Sequence, residues 1–591
     1  MKILGIASNS HDSGIALLDS GVPVFVVEEE RLNRIKKTKD FPIKSLDAVF
    51  KDSDFDIQSF EAITLPWDVP QLGRTFLWLL IRRFPLSLSL LRPSAHGPQG
   101  TSIIYVRPQL YLGLRKYFNT WKLPPLVRVR HHDSHAASFF VSPHEEATVL
   151  VMDGYGDDCA TSVYSGRGNK LELQWQSSFL NSLGIVYTAI TQYLGFAQFG
   201  DEGKVMGLAA YGEKTYVDRF RDVIHLTNDG RYAVNMSYFR YDKFGLIQPW
   251  SQKFEAVFGS PFIPGEEITD RQRDIAFALQ NTLEEAVIHI TRRLSQDYPS
   301  KKLCLSGGVA MNCVANDLIL SKTDYEEIWI PPNASDSGVP MGSALWYYHQ
   351  EKNKPREFVL RHPYYGLAYD EQQSLQALKQ FGLTFEKLEL DILIKRVARN
   401  LSEGKIIGWF QGRFETGPRA LGNRSILADP RRAEMKDAIN ARIKHREAFR
   451  PFAPAVLAEE ASDYFEINQQ DPFMTIAPRI KSDKAKVIPA VVHADNTGRF
   501  QTVSQEMNER YYRLIKEFKN LTGVPVVLNT SFNRQEPIVS SPEEAASCYL
   551  RTDMDVLVLG NLYCTDRNPQ AIARAHERFA TEQAERSIAD F

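Results

Sequence analysis

Residues 406 to 454 read IIGWFQGRFETGPRALGNRSILADPRRAEMKDAINARIKHREAFRPFAP. Between Arg413 and Arg450 they hold ten Arg or Lys against five Asp or Glu, in a chain whose formal net charge is -2. A guanidinium fork matches phosphate or carboxylate bidentately and keeps its charge, so Arg419 and Arg450, with Lys444 among them, have the chemistry of a nucleotide or acyl-phosphate pocket. Arg431, Arg432, Glu434 and Lys436 read instead as a solvated helical face. A second group of chemically capable residues lies in Arg130-His131-His132-Asp133-Ser134-His135-Ala136-Ala137. Its Ala-rich end favours a helix, on which His131 and His135 stand one turn apart in chelating geometry. Asp153, at a strand end downstream, and Asp336, just past the strand Ile328 to Ile330, can complete a metal site. Nitrogen and oxygen donors without thiolate suit iron, manganese or zinc.

These side chains need elements to carry them. The apolar run Ile406 to Phe410 predicts a buried strand that breaks at Gln411-Gly412, with a second turn at Thr416-Gly417-Pro418 before Arg419. MKILGIASNSHDSGIALLDSG at the start and ATVLVMDGYGDDCATSVYSG at 147 to 166 share one order: strand, polar turn, strand, glycine turn. That recurrence predicts a duplicated α/β unit with a nucleotide cleft between the copies. A helix is expected from Ile275 to Leu294. Lys302 to Ser306 then reads as a strand, and Gly307-Gly308 as the opening of a helix whose unpaired N–H groups can cradle phosphate. Gly203 and Lys204 fall in a glycine-rich stretch, read as a loop open to a charged ligand. A last buried strand ends in Asn529, Thr530, Ser531 and Asn533, four small polar side chains suited to a phosphate or carbamoyl group. The polar segment His349 to Glu357 marks the boundary between domains at 1–355 and 356–591.

Composition narrows the class. With 591 residues, 43% of them hydrophobic and 11% aromatic, the chain can build two or three cores and is neither fibrous nor disordered. Five cysteines without a CxxC pair fit a reducing cytoplasm, and the N-terminus enters a strand rather than a signal peptide. Near-zero net charge gives no reason to expect nucleic acid as a partner. The apolar stretch around Phe76 to Leu91 is interrupted by Arg82, Arg83 and Pro85, too short to span a membrane. That stretch reads as a packed helical insert, with a pocket for a greasy substrate or contact with a membrane surface as the alternatives, and residues 72–118, apolar without a sustained strand or helix period, are the candidate acceptor-facing insert, with Trp78 and Leu79 as its test residues.

HDSG at 11–14, EEERLNRIK at 28–36, HHDSHAAS at 131–138, DGYGD at 153–157, EGKVMGLAAYG at 202–212 and LSGGVAMN at 305–312 stand in one order with GPRALGNRSIL at 417–427, INARIKHREAFRPFAP at 439–454 and NTSFN at 529–533. In those motifs, nearly end to end, the chain resembles the O-carbamoyltransferase family of nodulation and antibiotic-tailoring enzymes. The resemblance implies a duplicated actin-like ATPase-type N-terminal domain followed by a YrdC-like α/β C-terminal domain. It implies that the C-terminal domain makes carbamoyl adenylate from carbamoyl phosphate and ATP with Mg, and that the N-terminal domain passes the carbamoyl group to a hydroxyl of a small natural-product acceptor, along a closed path because the adenylate hydrolyses readily. His131, His135, Asp153 and Asp336 are then the metal ligands, His11 the base beside the acceptor hydroxyl and Lys36 the cation facing the adenylate. Lys444, Arg419, Arg450, Arg499, Asn529 and Ser531 bind carbamoyl phosphate and ATP, while Gly307, Gly308 and Asn312 cradle nucleotide in the first domain. The family commonly has His where this chain has Lys37. A hydrogenase-maturation relative would carry its YrdC-like part first and zinc-finger cysteines; a tRNA-modifying enzyme would show a basic surface; a nucleotide sensor would bind ATP without using carbamoyl phosphate. The sequence allows a homo-oligomer.

Overall fold

The computed structural model describes residues 1–8, 11–51, 53, 55–91 and 106–589. They form two compact units, Met1–Leu360 and Arg361–Phe591. In the first, β1 (Lys2–Ala7), β2 (Gly14–Asp19), β3 (Val22–Glu28), β4 (Ala62–Leu65) and β5 (Leu126–Arg128) make a sheet of order β3-β2-β1-β4-β5. The first three strands are antiparallel, and β4 and β5 run parallel to β1. A second sheet repeats this plan. Its β6 (Glu146–Gly156), β7 (Cys159–Arg167) and β8 (Lys170–Ser178) are antiparallel; past a small hairpin, β9 (Ile224–Leu226) with β10 (Tyr232–Val234), the strands β11 (Lys302–Ser306) and β12 (Glu327–Trp329) join β6 in parallel. The order β12-β11-β6-β7-β8 is that of the first sheet, strand for strand. The duplication expected from the two strand–turn–strand stretches is therefore present. β1 and β6 are buried along nearly their whole length, which is why they read as unbroken apolar runs.

Two close approaches lock the copies together. A Cβ on Gly5 would lie 1.8 Å from the carbonyl oxygen of Pro340, and one on Gly342 would lie 1.8 Å from that of Ser134. The helix Val339–Trp346, which follows the second sheet in sequence, thus lies on β1 of the first sheet and against the helix His131–Ala136. Thr64 and Ser343 hydroxyls, both buried, meet at 2.8 Å across this contact.

Several local expectations change. The long helix runs Asp270–Asp297, starting earlier than periodicity indicates because Thr269 and Gln272 form a capping box. Gly203 and Lys204 belong to the helix Glu202–Ala209, not to a loop, and Lys204 pairs with Asp201 at 3.0 Å. Gly307 has φ of +91° and leads into a short 3-10 turn, Gly308–Met311; the α-helix itself starts at Cys313. Asn312 caps that helix through Ala315 N–H and exchanges two hydrogen bonds with Gln280. In the apolar insert the helix Val69–Arg82 turns into a 3-10 segment, Leu86–Leu91, and a second helix spans Val106–Tyr117; residues 92–105 lie outside the described residues.

The second unit is α/β around a single eight-stranded sheet. Its strands are β13 (Glu386–Lys387), β14 (Ile407–Phe410), β15 (Arg424–Ala428), β16 (Ala453–Leu457), β17 (Gln501–Val503), β18 (Val526–Ser531), β19 (Val556–Leu559) and β20 (Leu562–Cys564), in the order β13-β20-β19-β14-β15-β18-β16-β17. The strand expected at 406–410 is β14, fully buried at the centre. Arg431 and Arg432 are not on a helical face: they sit in a turn and pair with the buried carboxylate of Asp429, Arg431 at 2.7 Å, and the helix begins at Met435.

Candidate active site

In the first unit the helix His131–Ala136 begins where Asp157 accepts the backbone N–H of His131 at 2.8 Å and, on its other oxygen, that of Asp68 at 2.9 Å. One helical turn sets His131 Nε2 3.2 Å from His135 Nε2. Each ring is held from behind by its Nδ1, His131 against the Pro66 carbonyl at 3.1 Å and His135 against the Ser306 hydroxyl at 3.4 Å. Trp67 stacks on His131, centroid to centroid 4.1 Å. Asp153 sits in a bulge where the β6–β7 register shifts beyond Met152; its Oδ1 accepts the Gly308 N–H at 2.7 Å and its Oδ2 lies 3.5 Å from His131 Nε2. Asp336, on a 3-10 turn, places Oδ1 3.5 Å from His131 Nε2 and 3.6 Å from His135 Nε2.

One ligand atom from each of these four buried residues lies within 4.8 Å of the others. Bonds of about 2.1 Å put neighbouring ligands roughly 3.0 Å apart and opposite ones roughly 4.2 Å apart, so small side-chain shifts would close this set on one divalent ion. Asp336 Oδ1 is buried and has no hydrogen-bond partner among the described residues, as expected of an oxygen that coordinates a cation. Electrostatics agree: burial opposes charge on His131, yet Asp336 and Asp153 drive its pKa well above the usual value. Burial opposes charge on Asp336 too, yet His11 and His131 drive it well below.

His11 borders the cluster, its Nε2 3.8 Å from Asp336 Oδ2 and its ring 5.0 Å from Phe199. Its Nδ1 lies 3.3 Å from Asp12 Oδ2, and Asp12 in turn accepts both Lys37 Nζ contacts, at 2.8 and 2.9 Å. Arg34 and Lys37 both adopt positive φ in the turn after the helix Glu29–Asn33, which aims Lys37 at Asp12 while Lys36 is exposed. The sequence reading assigned Lys36 and gave Lys37 no role; the contact of Lys37 with Asp12 is added by the structure.

In the second unit the buried Glu415 accepts three backbone N–H groups on one oxygen, those of Leu421, Asn423 and Arg424, and so shapes the loop that carries Arg419. The loop is tied to the end of β18 by Asn529, whose Nδ2 donates to the Ala420 carbonyl at 3.1 Å; Asn529 Oδ1 is buried without a partner among the described residues. Lys444 closes a π-turn after the helix Met435–Ile439 and points at Ser531 and Asn533, reaching Asn533 Oδ1 at 2.7 Å and Ser531 Oγ at 3.2 Å. Burial, and after it the Arg446 charge, pushes the Lys444 pKa well below the usual lysine value. Burial together with Arg450 and Arg499 lowers Arg446 to about 9. Arg446 and Arg450 thus oppose charge on Lys444, and Arg450 and Arg499 oppose it on Arg446, while Glu536 favours it on Lys444 and Glu447 on Arg446. Arg413 and Arg424 serve elsewhere: Arg413 donates to Tyr365 and Gly366 carbonyls, and Arg424, fully buried on Phe410, to Gln411 and Gly412 carbonyls.

Two family models cover this chain: carbamoyltransferase N-terminus over residues 2–345 and carbamoyltransferase C-terminus over residues 398–566. The chain belongs to the carbamoyltransferase family. An uncharacterized protein of Synechocystis sp. is 39% identical across 95% of this chain and 96% of its own length. Nodulation protein NolNO of Sinorhizobium fredii is 36% identical across 93% of this chain and 78% of its own. Nodulation protein NolO of Bradyrhizobium diazoefficiens is 39% identical across 73% and 78% respectively. Arg446, which donates to Asn440 Oδ1 at 2.9 Å, was left unassigned by the sequence reading, since nothing in its spacing separates it from surface arginines. Among the described residues no helix is long and apolar enough to cross a membrane.

Proposed function

We propose that this carbamoyltransferase is an ATP-dependent O-carbamoyltransferase working in two steps. In the second unit carbamoyl phosphate is cleaved by water to carbamate and phosphate, and a carbamate oxygen attacks the α-phosphorus of ATP, giving carbamoyl adenylate and expelling pyrophosphate. The observation that carries this reading is that the loop bearing Arg419, shaped by Glu415, is tied through Asn529 to the strand end where Lys444 meets Ser531 and Asn533, with the charges of Arg446 and Arg450 acting on Lys444 in support. Arg419, Arg450 and Arg499 would grip phosphate oxygens bidentately, and Lys444 with Ser531 would hold the acyl phosphate. Asn529 Oδ1, buried and unpartnered, would accept from the carbamoyl NH2.

In the first unit the carbamoyl group would pass to an acceptor hydroxyl, with AMP leaving. His131, His135, Asp153 and Asp336 would hold a divalent iron, manganese or zinc, which when bound supplies positive charge against the adenylate phosphate. His11, more than a quarter exposed, would remove the hydroxyl proton, with Asp12 fixing the orientation of its ring. Gly308, through its N–H, fixes Asp153. The acceptor reading is a hydroxylated small molecule, and the working compartment the cytoplasm.

The deciding experiment is pyrophosphate release from Mg-ATP with and without carbamoyl phosphate, in the absence of any acceptor. Release that requires carbamoyl phosphate is expected. ATP binding without release would overturn the activation step and leave a nucleotide sensor.

A further inference from the structure

The helix Val69–Arg82 has two apolar sides. Leu72 and Leu79 point into the core. Leu77, Trp78 and Ile81 point out, 58%, 46% and 70% exposed, with Arg74 completing a stripe at positions 74, 77, 78 and 81 on one helical face. The exposed apolar surface continues through Phe84, Leu86, Leu88 and Leu91. This ridge is fastened from beneath: Arg83 pairs with the buried carboxylate of Asp242 at 2.6 Å, Ser87 Oγ donates to the Leu80 carbonyl at 2.7 Å, and Ser89 Oγ to the Lys243 carbonyl at 2.6 Å. A fastened ridge of large apolar side chains in water is a binding surface, because a merely loose segment could turn those side chains inward.

Charge says what it meets. From Val69 to His132, 64 residues, the chain has ten Arg or Lys and neither Asp nor Glu, although 72 acidic residues are spread over the rest. The ridge is flanked by exposed Arg74 and Arg82, and Arg82 lies over the Trp78 ring. We propose that this face docks on an anionic lipid bilayer, the apolar side chains entering the headgroup boundary and the arginines meeting lipid phosphates. A second copy of the chain fits the face poorly: a two-fold contact would set Arg74 and Arg82 of one face against the same residues of the other. The insert is then a membrane-docking element.

The full chain should co-sediment with vesicles of phosphatidylcholine mixed with phosphatidylglycerol and not with pure phosphatidylcholine vesicles, and raising the salt should weaken the attachment. Arg74→Glu with Arg82→Glu should lower partitioning by at least roughly 30-fold, and Leu77→Gln, Trp78→Gln and Ile81→Gln together should abolish it, each variant keeping the wild-type circular dichroism and melting temperature. Absence of wild-type binding to the anionic vesicles, or binding that survives both variants, overturns the proposal. So does a wild-type dimer that the triple variant dissociates, which would make the face a contact between copies.

Discussion

Lys37 and Asp12 hold His11 by one nitrogen, as a carboxylate behind a metal-bound histidine holds its ring. Lys37→Met should therefore slow carbamoyl transfer by roughly 10- to 100-fold, the usual cost of losing such a supporting group, while leaving carbamoyl-phosphate-dependent pyrophosphate release untouched. Lys37→Arg should restore most of the rate, and comparing kcat for both variants checks it. His131→Ala should remove bound metal, measured by elemental analysis, and abolish transfer with pyrophosphate release intact. His131 and His135 were readable because their relation is local, one helical turn. Asp336 was readable from its place just past a strand. Lys37 was not, since two positive-φ residues in a turn decide which of two adjacent lysines faces Asp12. Glu415 was not either: a buried carboxylate whose partners are backbone N–H groups leaves no trace in composition.

The helix Val339–Trp346 delivers Asp336 to the histidines by lying flat on two backbones, at Gly5 and Gly342. Gly342→Ala would drive a methyl group into the Ser134 carbonyl and should cost roughly 1–3 kcal/mol, as overpacking does; a lowered melting temperature with weaker metal retention is the expected result. An unchanged melting temperature would mean that the helix can lift freely. At this scale the duplicated sheets were readable, because buried strands write unbroken apolar runs around each glycine turn. The helix at Glu202–Ala209 was not, since its glycines carry the same letters as a loop and only the packing of Val205 and Leu208 makes it helical.

Across the first unit, two buried histidines away from the His131 cluster shape the response to acid. Burial lowers both His144 and His349 to about 4, whereas an unfolded chain titrates near 6.5. Between those values the unfolded chain takes up protons that the native state refuses, so this stability is complete above about 6.5 and is lost as the pH falls toward 4. The urea midpoint should be lower at pH 5 than at pH 7, and His349→Gln should flatten the difference. The return of the helix Val339–Trp346 to β1 also has a consequence in time. Thr64 waits for Ser343, 279 residues later, and at elongation rates of roughly 5–20 residues per second that wait is on the order of 15–55 s. The nascent first sheet leaves the ribosome without its cover, and a chain stalled before residue 339 would present that sheet bare to chaperones.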